Sequence, residues 1–171
     1  DSDDYFKKNK IEKIVNQFEN NQSYKVLFDL PIYLHGTQKN YYQLKQFFFF
    51  LSNWPKFSPQ SCISIRRNYA KEIFNKLGIK KFPDIWFDFR IAVYSFLKFD
   101  NLKFITDHLT YYRISQNSAS SKFSKYTIDW WKRREQAFDC FDYLCKKSNK
   151  LNIYTLDRFV TKFINFFLNL L

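Results

Sequence analysis

The first 34 residues change from a helical to a strand-like hydrophobic pattern, and this change limits the fold class more than any other feature. From Tyr5 onward, apolar residues recur at helical spacing with lysines opposite; the apolar set is Phe6, Ile11, Ile14, Val15 and Phe18, and the lysines include Lys10 and Lys13. A polar turn at 20–23 follows, and Tyr24 to Leu34 then has the apolar run of a strand. A helix followed by a strand predicts an α/β fold.

Later segments continue this alternation. Strands are predicted at 61–65, 102–106 and 109–112, and helices at 68–77, from Asp84, at 127–147 and after Thr155. Gly78 is expected to end the second helix as its left-handed C-terminal cap, and Asp84 and Thr155 are expected to cap the helices that follow them. The segment 35–59 is predicted to be a partly helical connection, and the stretch 115–124, rich in serine and asparagine, to be a loop.

The last predicted helix is amphipathic, with a polar stripe opposite a continuous apolar face. Such a helix can pack on the domain, pair with another subunit or lie on a membrane surface. Its polar stripe has only two basic residues, Arg158 and Lys162, so we favour the core or a partner over a membrane.

Composition excludes several classes of protein. The 171 residues suffice for one domain, and a hydrophobic fraction of 46% excludes an intrinsically disordered chain. The longest purely apolar run, Phe47 to Leu51, is far shorter than a membrane-spanning helix. Cys62, Cys140 and Cys145 lack the spacing of a zinc site or a disulfide framework, which indicates a reducing, cytoplasmic environment. A formal net charge of +12 predicts attraction to anionic partners.

The chain opens with Asp1-Ser2-Asp3-Asp4, an acidic motif suited to a divalent metal. Mg²⁺ and Mn²⁺ prefer oxygen ligands and usually bind through one or two carboxylates together with substrate phosphates. The alternative is that these acids only stabilise the positive end of the predicted first helix. Because the chain also contains no Met, we expect it to be a fragment or a processed product.

Two further segments carry candidate site residues. Asp88 lies beside Trp86 at an apolar helix start, where partial desolvation would raise its pKa and suit it to act as a general base. An exposed Asp in the first helical turn is the alternative. Arg113 ends a strand before the serine-rich loop, and its guanidinium can grip a diphosphate. An ordinary surface arginine is the alternative there.

The order of these segments resembles the second half of a family 2 glycosyltransferase with the GT-A fold. The matching pieces are Asp1-Ser2-Asp3-Asp4, then Pro-Gln-Ser-Cys-Ile-Ser-Ile-Arg-Arg at 59–67, then Ile85-Trp86-Phe87-Asp88, and then Leu109-Thr110-Tyr111-Tyr112-Arg113. The resemblance covers residues 1 to about 120. It implies that 1–125 is the acceptor-side part of such a domain, with 126–171 as a helical C-terminal extension.

The resemblance implies inverting transfer of a sugar from a nucleotide-sugar donor to a surface-glycan or lipid-linked acceptor, in bacterial cell-envelope polysaccharide synthesis. It assigns Asp1 and Asp3 to a divalent metal, Mg²⁺ or Mn²⁺, and to the donor, and Asp88 to the catalytic base. In addition, Arg113 is expected to contact the donor diphosphate, and Trp86 is expected to contact the acceptor. The enzyme is expected in the cytoplasm, with peripheral contact at the inner face of the membrane as an option.

The chain departs from the family pattern in three ways. Phe87 stands where the family commonly has an acid before the base, so Asp84 is a rival for that role. Ser115 stands where many relatives have a histidine. The nucleotide-binding strands and helices of the family precede the acidic motif and are not in this chain, so the 171 residues alone are expected to be inactive.

Two functions from other classes stay open. The basic, aromatic composition suits a module that stacks single-stranded nucleic acid on Trp54, Trp130 and Trp131, although the positive charge is scattered and no nucleic-acid-binding motif is present. The other is a non-catalytic scaffold attached to a membrane through the last helix. The basic groups Arg66-Arg67 and Lys132-Arg133-Arg134 are predicted to be solvated, and His108 to be structural.

Overall fold

The computed structural model describes residues 4–34, 51–55, 57–78, 80–98, 102–113 and 121–170. Within these ranges the chain forms one mixed sheet and five α-helices, so the predicted α/β class is confirmed. In chain order the strands are β1 (Tyr5–Phe6), β2 (Val26–Leu34), β3 (Ile63–Ile65) and β4 (Leu102–Arg113). Their order in the sheet is β1-β4-β2-β3; the central pair is parallel and each edge strand is antiparallel to its neighbour.

The central strand β2 explains why the sheet is covered on both faces. Successive side chains of a strand point to opposite faces, and Val26 and Phe28 belong to one hydrophobic cluster whereas Leu27 belongs to another. All three are fully buried. The strand therefore reads as a continuous apolar run, as expected where both faces are covered.

The first helix, α1 (Lys10–Asn20), packs on one face of the sheet through Ile14. The prediction of a helix from Tyr5 was wrong, because Tyr5 and Phe6 form β1 and pair with the end of β4. The acidic motif therefore precedes a strand and not a helix end. Ile11, predicted to face inward, is 68% exposed, whereas Lys10, placed on the outer face by the sequence, is only 4% exposed.

The buried Lys10 is held by partners from three other parts of the fold. Its ammonium lies 2.8 Å from Oδ2 of the fully buried Asp29 and donates to Oγ1 of Thr110 at 2.6 Å and to the carbonyl oxygen of Ser61 at 2.8 Å. Thr110 in turn donates to Oδ1 of Asp29 at 2.7 Å. Asp29 sits where the pairing of β2 with β4 shifts register, so an irregular point of the sheet carries this buried polar group.

Three helices cover the opposite face: α2 (Arg67–Phe74), α3 (Phe87–Leu97) and α4 (Ile128–Lys147). They bury Ile73, Ala92, Val93 and Leu144 in one cluster with Val26 and Phe28. The predicted helix 127–147 is confirmed, and it shares this core with the preceding part of the chain. A division at residue 125 stays a prediction.

Gly78 occupies a position that excludes other residues. Its φ of +61° is left-handed, and a Cβ there would lie 2.8 Å from Cε1 of Tyr143. The predicted left-handed geometry is confirmed, but α2 ends at Phe74 and a turn separates it from Gly78.

Two other local predictions need correction. The segments 102–106 and 109–112 are one strand, β4. His108 lies within it, with Nδ1 3.1 Å from the carbonyl oxygen of Pro31, and its structural role stays a prediction. Asp84 does not cap α3; that position belongs to Trp86, whose side chain makes no capping hydrogen bond. The predicted connection 35–59 lies mostly outside the described residues, as does most of the loop 115–124.

The last helix, α5 (Leu156–Leu168), begins as predicted, with Oγ1 of Thr155 accepting from the amide of Arg158. Its polar stripe faces α4, and its apolar face is exposed. Within the described ranges, no helix has both the length and the apolar character needed to cross a membrane. All three cysteines are buried and free, in keeping with the absence of a disulfide framework.

Candidate functional site

A cavity of about 280 Å³, called here the aromatic cleft, opens where the start of α3 meets the first half of α4. Aromatic and arginine side chains form most of its wall; the lining residues are Trp54, Phe57, Ile85, Trp86, Asp88, Phe89, Phe123, Trp130, Arg133, Arg134 and Ala137. Two predicted site residues, Asp88 and Trp86, therefore lie in one cavity. A concave apolar site with a few converging polar groups is the usual form of a small-molecule site.

Asp88 is positioned by the backbone of the helix start. Trp86 is the N-cap of α3, and Asp88 lies in its first turn, where the free amides and the helix dipole favour a carboxylate. Oδ1 of Asp88 accepts from the amide of Phe89 at 2.7 Å. Within the part of the chain that the structure describes, no cation lies within ion-pair distance of this carboxylate.

Burial raises the pKa of Asp88 above its ordinary value, as the sequence predicted. The amide of Phe89 and the positive charge of Arg133 act in the opposite direction and limit the rise. A carboxylate with a raised pKa and no ion-pair partner among the described residues is suited to take up a proton.

Arg133 lies between two aromatic rings of the cleft wall. The central carbon of its guanidinium is 4.1 Å from the ring centre of Trp86 and 4.3 Å from that of Phe123. Its Nε donates to the carbonyl oxygen of Asp84 at 3.0 Å. Burial lowers its pKa, while Asp88 and Asp84 act to raise it. An arginine keeps its charge under these conditions, so the cleft has a fixed cation near Asp88.

Asp84, the rival for the role of base, is engaged elsewhere. Its amide donates to Oε1 of Gln136 at 2.8 Å, and its Oδ2 accepts from Nε2 of the same side chain at 3.2 Å. Asp84 is not among the residues that line the cleft. The geometry therefore favours Asp88 over Asp84.

The back of the cleft is built from Trp54 and Arg134. Trp54 packs against Phe89 with ring centres 5.0 Å apart, and the guanidinium of Arg134 lies 4.5 Å from the Trp54 ring. Nη2 of Arg134 bonds both carboxylate oxygens of Asp157 at 2.5 Å. This links the wall of the cleft to α5.

Sequence reasoning missed both arginines of the cleft. Arg133 and Arg134 were predicted to be solvated, but both are partly buried on aromatic rings, whereas Lys132 is exposed. For Arg134 the available signal was Trp130, four residues earlier in the same helix, since arginine stacks readily on aromatic faces. Arg133 had no such local signal, because its ring partners, Trp86 and Phe123, come from other parts of the chain.

The donor-side predictions concern Asp1, Asp3 and Arg113. Asp1 and Asp3 lie outside the described residues. Asp4 is described, and its Oδ1 accepts from the amide of Arg113 at 2.9 Å, so the acidic motif and the predicted diphosphate-binding arginine meet beside β1 and β4. Oδ2 of Asp4 is buried without a hydrogen-bond partner among the described residues. The described ranges contain no group of three His, Cys, Asp or Glu side chains placed to hold a metal ion.

Comparison with known proteins adds no relative from which a function can be transferred. No family model, curated protein or solved structure matches this chain.

Proposed function

We propose that this chain is the acceptor-side part of an inverting glycosyltransferase of the GT-A type, in which Asp88 is the general base and the aromatic cleft binds the acceptor. The observation that carries the proposal is the placement of Asp88 in that cleft, with a carboxylate whose pKa is raised by burial. The sequence resemblance and the mixed α/β sheet are consistent with it.

In this proposal the base takes a proton from an acceptor hydroxyl as that oxygen attacks the anomeric carbon of the donor. A base for this step works best when its pKa approaches the working pH, which ordinary exposed aspartates do not achieve. Partial burial of Asp88 supplies the upward change, and Arg133 keeps the ionised form accessible. Trp86 and the neighbouring aromatic rings offer flat apolar faces to one side of a sugar ring.

The donor would lie on the side of the acidic motif and Arg113. Arg113 would contact its diphosphate, and Asp1 and Asp3 would hold the divalent metal. Oδ2 of Asp4, which has no hydrogen-bond partner within the described ranges, supports an oxygen-seeking cation nearby. When bound, the metal would offset the negative charge that develops on the departing nucleoside diphosphate.

The test is transfer activity of the protein expressed from its gene, measured as nucleotide release from a panel of nucleotide sugars with Mg²⁺ or Mn²⁺ and a saccharide acceptor. We expect Asp88→Asn to lower the turnover by about 10²- to 10⁴-fold, the usual contribution of a general base. Asp84→Asn is the matched control, since an asparagine there can still accept from Gln136.

Donor binding, followed by calorimetry, should be unchanged in both variants. Turnover of Asp88→Asn close to that of the wild type would refute Asp88 as the base, and loss confined to Asp84→Asn would move the role to that residue. Loss of donor binding in Asp88→Asn would indicate a structural defect instead.

The nucleic-acid alternative has weaker support. Trp54 contacts Phe89 and Phe138, and the guanidinium of Arg134 already lies over its ring, where a base would have to stack. Trp130 and Trp131 contact each other edge to face, with ring centres 4.6 Å apart.

A cytoplasmic location belongs to the glycosyltransferase proposal as well, because the enzyme would bind its donor nucleotide there.

A further inference from the structure

The α5 helix turns its apolar side outward. We define the α5 seam as the exposed apolar side chains of this helix together with Leu170, which follows its end; the members are Leu156, Phe159, Val160, Phe163, Phe166, Phe167 and Leu170. No charged residue belongs to it. The opposite side of the same helix buries Arg158, Thr161 and Asn165. This is the reverse of the usual arrangement for a surface helix.

Specific polar contacts fix this orientation. Arg158 is 6% exposed and forms an ion pair with Asp142 of α4, and Nδ2 of Asn165 donates to the carbonyl oxygen of Trp131 at 2.9 Å. Arg134 holds Asp157 at the start of the helix. Turning the seam inward would break all of these contacts and leave charged groups unpaired, which is costly in a buried setting.

The spacing of the seam suits a second helix. Leu156, Phe159, Phe163, Phe166 and Leu170 follow one another at alternating intervals of three and four residues, the a and d pattern of helices that interlock side by side. The Phe163 ring centre lies 6.2 Å from that of Phe159 and 4.9 Å from that of Phe167, so the rings form a continuous ridge.

The area of the seam is that of a stable interface. Its four phenylalanines are each exposed by half or slightly more, which leaves about 450 Å² of ring surface in water if a whole side chain offers about 200 Å². With the three aliphatic side chains the seam reaches about 700 Å². The largest apolar patch of a typical monomer is about 300–600 Å², and a stable interface buries about 800 Å² per partner.

We infer that the α5 seam is a self-association surface, on which a second copy of this chain packs its own α5 across a twofold axis. A lipid surface fits less well, because interfacial helices carry lysines and arginines beside their apolar face. Here Arg158 is buried in an ion pair, and Lys162 is the only other basic residue of the helix.

The test is the mass of the full chain in solution, measured by light scattering after size exclusion at protein concentrations from about 1 to 100 µM, a range that covers moderate affinities. We expect twice the chain mass for the wild type and a single-chain mass for Phe163→Glu. Ile11→Glu is the matched control, since Ile11 is equally apolar and 68% exposed but lies on α1; it should remain a dimer. Each copy carries a formal net charge of +12, so added salt should strengthen the dimer by screening the repulsion.

A single-chain mass for the wild type at every concentration would overturn the inference. Should that monomer also bind vesicles containing anionic phosphatidylserine, with binding that weakens as salt rises, the seam would be a lipid-binding surface instead. A dimer that survives Phe163→Glu would place the interface elsewhere.

A second variant protects the test against misfolding of Phe163→Glu. Phe163 lies at the middle of the seam, so in a twofold pair it meets its own copy whether the partner helix runs parallel or antiparallel. Phe163→Cys should therefore form an intermolecular disulfide on mild oxidation, whereas Ile11→Cys should not. The three native cysteines are buried and should not interfere. Equal cross-linking of the two variants would contradict the inference.

Discussion

Replacing Arg90 with methionine should destabilise the fold more than the same replacement at an exposed arginine. Arg90 is 2% exposed. Its Nε donates to the carbonyl oxygen of Ile85 at 2.8 Å, its Nη1 donates to that of Leu77 at 2.6 Å, and its Nη2 bonds that of Phe82. One side chain thus holds the turn-rich segment between α2 and α3, which leads directly into the cleft.

The magnitude follows from three carbonyl groups among the described residues that accept from Arg90. A hydrogen bond to a charged group is worth about 1.5–3 kcal/mol, and a buried acceptor left without a donor has a similar cost. Methionine avoids the free-energy cost of desolvating a guanidinium, which offsets part of this loss. We therefore expect the free energy of unfolding to fall by about 3–5 kcal/mol, as when one partner of a buried charged pair is removed. For a chain of this size that lowers the melting temperature by roughly 6–20 °C.

Urea unfolding, followed by tryptophan fluorescence and circular dichroism, measures this loss. Arg67→Met is the control, since Arg67 is exposed at the start of α2 and its replacement should change stability by no more than about 0.5 kcal/mol. Arg90→Lys should fall between the two, because one ammonium keeps the charge without the fork that reaches three carbonyls. If Arg90→Met unfolds within about 0.5 kcal/mol of the wild type, the reasoning is wrong.

Two further substitutions test buried charges. Lys10→Met should destabilise the fold by about 3–5 kcal/mol at neutral pH, since it leaves the fully buried Asp29 without its cation. Because burial already raises the pKa of Asp29, this carboxyl can take up a proton in the variant, and the loss of stability should shrink near pH 4–5. Chemical unfolding at several pH values measures this change. Asp88→Asn should gain stability relative to the wild type as the pH rises from below 3.8 to 7. The pKa of Asp88 is raised in the folded state, so ionisation destabilises the folded wild type, whereas asparagine does not ionise. If the melting temperatures of the variant and the wild type differ by the same amount at pH 3.5 and at pH 7, this prediction is wrong.

A continuous apolar run made β2 predictable and helical spacing made α4 predictable, whereas the wrong predictions depend on contacts between distant parts of the chain. Tyr5 and Phe6 form a two-residue strand because they pair with Tyr111 and Thr110, more than 100 positions away. The hydrophobic pattern around Tyr5 and Phe6 cannot show a partner so far along the chain. The apolar spacing from Tyr5 onward therefore favoured the prediction of a helix. The burial of Lys10 has the same cause, since Asp29 and Thr110 approach it only in the folded sheet.

The partial burial of Asp88 was predictable from the sequence, but the boundaries of the cleft were not. Asp88 beside Trp86 at a helix start was enough to predict partial desolvation, and the cleft contains both. The prediction that Asp84 caps α3 failed because Gln136, 52 positions away, takes both its amide and its carboxylate. Arg133 was missed because a basic residue on a helix is solvated unless an aromatic partner arrives from elsewhere, here Phe123.

The orientation of α5 shows what an amphipathic pattern does and does not determine. The pattern separates a polar from an apolar side, but it leaves open which of them faces the rest of the chain. That choice depends on what the neighbouring surface offers, and α4 offers Asp142, Arg134 and the carbonyl oxygen of Trp131. These groups pair with the polar stripe of α5 and would be left unpaired under phenylalanine. Because an unpaired buried charge costs more than a partly exposed ring, the polar side turns inward, and the apolar side is left exposed among the described residues.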